Sequence, residues 1–142
     1  MRCLLLAVLG GIAYLPVMCA SGDASASVPI SEKARSAAQW TLHIEGLRLP
    51  PGRGGIVEVY ASPADSAPEA STDQANYLGY IAPVPKNSRE ALHGVVVKGA
   101  LMDLTPKLDA LKNAKEIRVT LVLPKSAEDQ KPAWDKIYIT FK

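Results

Sequence analysis

Thiols are scarce in this chain. Its two cysteines, Cys3 and Cys19, both sit near the start. The body of the sequence therefore has no disulfide to staple it and no thiolate to bind a metal or attack a substrate. Histidine is as sparse, with His43 and His93 the whole supply. An excess of one charge is also missing, since 16 Lys and Arg face 14 Asp and Glu. No block of like charge breaks that balance, so nothing electrostatic points to nucleic acid or an anionic membrane surface as partner. Beyond the first residues there is no apolar run near the ~20 residues that span a bilayer, which leaves no transmembrane segment in the mature chain.

The N-terminus has a definite grammar. Met1-Arg2-Cys3 sets one positive charge ahead of an apolar run from Leu4 to Val17, and small residues follow at Cys19-Ala20-Ser21-Gly22 and Ala24-Ser25-Ala26. A charged start, a short apolar stretch and a small-residue exit are the parts of a secretory signal peptide. Residues 1–22 are read as that leader, with cleavage after Ala20, Gly22 or, at the latest, Ala26. The rival reading is a buried N-terminal helix. Cys19 has two fates: removal with the leader, or acylation as the first residue of a lipoprotein. Leu15-Pro16-Val17-Met18 argues against acylation, because a small residue usually precedes a lipidated cysteine. Both fates put the protein outside the cytoplasm, periplasmic or secreted, with lipid anchoring the less favoured form.

Residues 23–38 are rich in Ala and Ser and read as a linker, with a possible short helix at Ser31-Glu32-Lys33-Ala34-Arg35. The remaining stretch, 39–142, is one domain with enough length for a modest core. Trp40, Leu42 and Ile44 alternate with polar residues and share a strand face. Pro50-Pro51-Gly52-Arg53-Gly54-Gly55 turns the chain into a second strand, Ile56-Val57-Glu58-Val59-Tyr60-Ala61. A polar loop from Ser62 to Ala75 leads to a short third strand, Tyr77-Leu78-Gly79-Tyr80-Ile81, and a fourth follows at Gly94-Val95-Val96-Val97-Lys98. Thr105-Pro106 opens a helix that ends near Asn113, with Thr105 as its cap and Leu104, Leu108 and Leu111 as its apolar stripe. In the last two strands Ile117, Val119, Leu121 and Leu123, then Ile137, Ile139 and Phe141, face inward. These elements predict an all-β fold: an antiparallel two-sheet β-sandwich with one short connecting helix.

Catalytic constellations are missing. There is no Gly-x-Ser-x-Gly elbow, and Gly52-Arg53-Gly54-Gly55 lacks both the Lys-Ser of a P-loop and a following helix. His43, at a polar strand position, and His93, beside Gly94, are weak metal candidates that read more simply as surface histidines. Alone they cannot close a zinc or copper site. Metal, cofactor and catalytic residues are accordingly expected to be none. The less bland feature is the third strand. Under strict alternation either Leu78 with Tyr80, or Tyr77 with Ile81, must point away from the core, leaving a two-sided buried strand or an exposed contact patch.

The order of short motifs adds a resemblance. Val57-Glu58-Val59-Tyr60, Asn76-Tyr77-Leu78-Gly79-Tyr80-Ile81, Asp103-Leu104-Thr105 with Leu108 and Leu111, Val119-Thr120-Leu121-Val122-Leu123-Pro124 and Ile137-Tyr138-Ile139 succeed one another at domain-scale spacing. From Trp40 to Lys142 this resembles the C-terminal domain of tyrosinases and plant polyphenol oxidases, although Val57-Glu58 stands where the plant domain often has Phe-Asp. The resemblance implies a β-sandwich that sits over the entrance of a di-copper site and keeps the oxidase latent. It further implies copper ligands on a separate six-histidine helical domain that nothing here supplies. The expectation is a non-enzymatic, exported accessory domain that shields a tyrosinase-like copper oxidase, or assists its maturation, in trans. Its candidate contact or plug residues are Tyr77, Leu78, Tyr80 and Leu92. The alternative is a generic extracytoplasmic binding module with no copper connection.

Overall fold

The computed structural model describes residues 23–50, 56–123 and 131–142. Residues 1–22, read above as a leader and containing Cys3 and Cys19, and the glycine-rich stretch 51–55 lie outside the described residues. The described strands are β1 (Asp23–Pro29), β2 (Trp40–Leu49), β3 (Val57–Pro63), β4 (Tyr77–Ile81), β5 (Val95–Asp103), β6 (Glu116–Val122) and β7 (Lys136–Phe141). They form one sheet in the order β1-β6-β3-β4 and a second in the order β5-β2-β7. Every pairing is antiparallel. The fold is thus the two-sheet sandwich that the alternating segments predict.

The two inner faces supply the core. Leu42 and Ile44 of β2 meet Val57 and Val59 of β3 and Ile117, Val119 and Leu121 of β6, all fully buried. These are β-branched or aliphatic side chains at alternate positions, which a half-buried pleated strand accommodates without rotamer strain. Trp40 lies at one end of this layer with no exposed surface. A buried indole N–H needs an acceptor, and Trp40 Nε1 donates to the Ala34 carbonyl at 2.8 Å.

That acceptor comes from a stretch expected to be a spacer. Residues 23–38 instead supply β1 and a single-turn helix, α1 (Glu32–Arg35). Ser31 caps α1, its Oγ accepting from Ala34 N–H at 3.2 Å. β1 was missed because Ala and Ser carry little strand preference. Its alternation is nonetheless real: Ala24, Ala26 and Val28 are the more buried members, and Ser25 and Ser27 the exposed ones.

Strands on both sheets change phase midway. β2 buries Trp40, Leu42 and Ile44, then Leu47 and Leu49, so its inward set moves from even to odd positions at Gly46. Gly46 has φ of 62°, a left-handed conformation that costs an L-residue roughly 1–2 kcal/mol. Its partner β5 slips at Lys98-Gly99, with Val97, Ala100 and Met102 packed inward. β4 carries a bulge of its own. Register with β3 runs Val57↔Ile81, Glu58↔Tyr80, Val59↔Gly79 and then Tyr60↔Tyr77, which leaves Leu78 as the extra residue. Both Leu78 and Ile81 therefore pack against the core, and neither face assignment expected from strict alternation holds.

Two further helical pieces differ from expectation. α2 (Ser88–His93) was not anticipated; Asn87 and Glu90 carry the signal for it. The turn before β6 is a 3-10 turn at Thr105–Lys107 that runs into α3 (Leu108–Leu111), shorter than the helix expected to reach Asn113. Pro106 does sit in its first turn, and Leu104 and Leu111 are buried as the stripe predicts. Leu104, not Thr105, stands at the cap position and supplies no side-chain bond; just ahead of it Asp103 Oδ1 accepts Thr105 N–H at 2.9 Å. Thr105 Oγ1 accepts from Trp40 N–H instead, at 3.3 Å. Here Asp103 and Thr105 act together, because the chain must satisfy a helix start and a strand end at one point. Phe141 pairs with Trp40 but stays 36% exposed, because it closes an edge strand at the rim of the sandwich.

Truncating the buried Trp40 to Ala should cost ~3–5 kcal/mol through lost packing and a cavity. Trp40→Phe should cost less, about 1–3 kcal/mol, since it keeps most of the ring and the Ala34 carbonyl, though it loses the indole donor, still accepts Ala37 N–H at 3.0 Å. Urea unfolding should show both as a lower midpoint at unchanged slope.

Candidate functional site: an apolar edge joining the two sheets

β4 and β5 are the edge strands of their respective sheets, and the chain passes from one to the other through residues 82–94. The two strands also meet across the sandwich, where Gly79 leaves room for Met102. A Cβ on Gly79 would come within 3.0 Å of the Met102 Cε. This passage is the least covered apolar part of the described protein. The exposed large hydrophobic residues there are Tyr80 (62%), Val84 (81%), Leu92 (71%), Val96 and Leu101. The only others among the described residues are Ile56 and Phe141. Starting on the outer face of one sheet at Tyr80, the series crosses the connecting loop and α2, and ends on the outer face of the other sheet at Leu101.

Local chemistry holds this segment in place. Asn87 Oδ1 accepts Glu90 N–H at 2.9 Å, and Glu90 Oε2 accepts Lys86 N–H at 2.8 Å. That reciprocal arrangement satisfies two free donors at the start of α2. Gly94 N–H closes the other end by donating to the Glu90 carbonyl at 2.9 Å. Leu92 is thus presented from a capped turn of helix rather than from a loop. On β4 the bulge decides which rings are free. Tyr77 is half-buried beside Tyr60, with ring centroids 5.4 Å apart and planes tilted by 59°. Tyr80, opposite Glu58, reaches into solvent.

Of the four residues expected to make contact, the fold absorbs Tyr77 and Leu78 and leaves Tyr80 and Leu92 outside. Val84, Val96 and Leu101 belong with them and were not anticipated. Val95-Val96-Val97 looks like a strand buried on both faces, and periodicity cannot reveal that nothing described covers its outer side.

The outer face of the β5-β2-β7 sheet is organised differently. His43 of β2 lies between Leu101 of β5 and Tyr138 of β7 in register. Its ring stacks on Tyr138 at 4.5 Å with planes 8° apart, and His43 Nε2 lies 2.7 Å from Thr140 Oγ1. Lys136 Nζ sits 4.6 Å from the centre of the Tyr138 ring. The phenol donates to Glu45 Oε1 at 2.7 Å. That hydrogen bond, with burial and the negative charge of Glu45 behind it, raises the Tyr138 pKa above its ordinary value. On Asp103 the shift runs the other way. The Thr105 hydroxyl and then the Thr105 backbone N–H stabilise its carboxylate and lower its pKa.

His43 is therefore engaged by its own sheet, and His93 is the exposed last residue of α2. Among the described residues no group of three or more His, Cys, Asp or Glu is gathered where it could hold a metal ion. No described helix is long and apolar enough to cross a membrane.

Solved structures with this architecture include polyphenol oxidase and tyrosinase chains. Recombinantly expressed latent aurone synthase, a polyphenol oxidase, superposes with a TM-score of 0.57 and 18% identity over 95% of this chain and 27% of its own. The fold is that of part of the latent polyphenol oxidases. The same enzyme from its natural source matches at a TM-score of 0.53 and 18% identity, over 90% of this chain and 26% of that one. Latent apple tyrosinase matches at 0.53 and 22%, over 84% and 26%. The chain thus spans about a quarter of the length of these oxidases, and at such identities the likeness is one of fold. No protein-family model and no curated protein matches the sequence.

Two measurements check the site. In an alkaline absorbance titration of the tyrosines, Tyr138 should ionise late, and Glu45→Gln should remove that delay. Because the folded pKa is the raised one, this interaction contributes fully below the unfolded tyrosine value of about 10. Its contribution is lost as the pH climbs through the folded value. Calorimetry with Cu²⁺ should show only weak, non-stoichiometric binding. A single tight site lost on His43→Ala or His93→Ala would contradict this.

Proposed function

We propose that this chain is a non-catalytic, exported accessory domain that covers the substrate entrance of a tyrosinase-like di-copper oxidase, or assists its maturation, in trans. The observation that carries the reading is the superposition of nearly the whole described sandwich on about a quarter of a latent oxidase chain. A second support is the apolar series from Tyr80 to Leu101, which gives a capping domain something to press against a partner. The N-terminal signal grammar supports an extracytoplasmic setting. The histidines support a role without copper of its own, since His43 is engaged with Thr140 and Tyr138 and His93 stands on a different element. The alternative, an extracytoplasmic binding module with no copper connection, draws on the lack of any family-level sequence match.

The test is to add the purified domain in excess to the oxidase that co-purifies with it from its host. Phenol oxidation should fall, and proteolysis of the added domain should restore it. Tyr80→Ala and Leu92→Ala should each weaken inhibition by roughly tenfold or more, the scale of an aromatic or apolar anchor in a pocket. Thr72→Ala, on the exposed loop before β4, should leave inhibition unchanged. Melting curves of both anchor variants separate lost contact from lost folding. If the folded domain neither binds nor inhibits any oxidase, nor raises its copper content, the generic binding module takes its place.

A further inference from the structure

We propose that two copies of this chain pair along β5, edge to edge and antiparallel, about a two-fold axis between Lys98 and Gly99. Four described strands stand at sheet edges: β1, β4, β5 and β7. An edge strand invites pairing unless something blunts it. β1 ends in Pro29, β4 is five residues long with a bulge, and β7 is six residues long and starts at Lys136. β5 is the longest of the four, at nine residues. It pairs with β2 along one side. β4 approaches it across the sandwich, where Gly79 leaves room for Met102, but shares no ladder with it.

Side-chain direction along β5 decides the partner. Val95, Val97, Ala100 and Met102 form the half-buried, inward set, while Val96, Lys98, Gly99 and Leu101 are exposed. Lys98 and Gly99 are consecutive outward positions, so the order of inward and outward residues over 95–102 reads the same from either end. In an antiparallel ladder, residues directly opposite one another share a face. A two-fold axis between two residues of a regular strand would therefore set inward positions against outward ones. The slip at Lys98-Gly99 removes that conflict. It places Val95 opposite Met102 of the second copy, Val97 opposite Ala100 and Val96 opposite Leu101. Moving the axis by up to two residues either way sets inward against outward again.

The chemistry across the axis agrees with this register. Val96 and Leu101, 61% and 69% exposed, cover each other twice, once on each side of the axis. Lys98 lies opposite Gly99 of the second copy, where no described atom comes within 4 Å of the place a Cβ would take. Glu45 stands next to Gly99 on β2, in the same outward row. Each Lys98 thus crosses an open glycine towards a carboxylate of the other copy. The contact is isologous, so it closes at two copies. It joins the two three-stranded sheets into one. Tyr80 and Leu92, the anchors assigned to the oxidase, lie on other elements. The pairing rests on β5 and its neighbour β2, not on that reading.

The test is analytical ultracentrifugation of the exported chain alone, in a concentration series up to about 1 mM, which covers the weak range expected of a small interface. The wild-type chain should pass from monomer to dimer and no further. Val96→Glu and Leu101→Lys should each weaken the dimer by about tenfold or more, because each sets an unmatched charge against an apolar side chain. Lys98→Glu should weaken it too, by turning a carboxylate towards Glu45. The double variant Val96→Glu with Leu101→Lys sets a carboxylate opposite an ammonium on both sides of the axis and should recover the dimer, which only this register requires. All three positions are exposed, so the variants should melt as the wild-type monomer does. A chain that stays monomeric throughout the series, a dimer indifferent to the single variants, a double variant no tighter than the singles, or assembly beyond two copies would each overturn the pairing. None of these outcomes bears on inhibition of an oxidase, which is read with Tyr80→Ala and Leu92→Ala.

Discussion

The complete burial of Trp40 is the constraint on which the rest of the structure leans. An indole removed from water must keep its N–H bonded, and β2 has no acceptor to offer on its inner face. The chain meets the demand by folding α1 back so that the Ala34 carbonyl meets the N–H edge of the ring. The Trp40 backbone then ties the far side of the sandwich, accepting from Leu104 N–H at 2.9 Å and donating to Thr105 Oγ1. One residue thereby joins the N-terminal segment, the central strand of one sheet and the turn that carries the chain back to the other. With α1 held there, β1 is delivered to the edge of β6, and the four-stranded sheet gains its fourth member.

A second set of consequences comes from the places where alternation slips. Gly46 in β2, Lys98-Gly99 in β5 and Leu78-Gly79 in β4 each shift the side-chain phase by one. In β2 the slip lets Leu47 and Leu49 continue the core, and it turns Arg48 outward to pair with Asp135. The slip in β4 keeps Leu78 and Ile81 against the core and leaves Tyr80 in solvent. In β5 it brings Val96 and Leu101, an odd number of positions apart, onto the same exposed face. The exposed apolar surface is therefore a product of backbone irregularity as much as of composition.

The two outer regions suit different tasks. On the β5-β2-β7 face, His43, Glu45, Lys136, Tyr138 and Thr140 satisfy one another, so little is left over to recognise a ligand. The edge from Tyr80 to Leu101 holds large apolar side chains with nothing described upon them. Among the described residues, neither region gathers three or more His, Cys, Asp or Glu where they could hold a metal ion.

The sequence by itself determined the class of fold and most of the strands. Period-two burial of Trp40, Leu42 and Ile44, and of Ile117, Val119 and Leu121, is a local property of the chain, legible wherever apolar and polar residues alternate. The scarcity of Cys and His was equally plain. The order of motifs pointed to the oxidase-associated sandwich that the superposition then matched. What only the tertiary structure decided was the fate of segments whose composition is indifferent. Ala24 to Ser27 became a strand because β6 offered an open edge. Tyr77 and Leu78 were drawn into the fold, and Tyr80 was excluded from it, because a bulge opposite Val59 reset the phase. Val96 and Leu101 were left bare because no described element packs over β5. Strand pairing, bulges and cover arise from partners distant in sequence, and a local pattern holds no information about which neighbour will arrive or on which side.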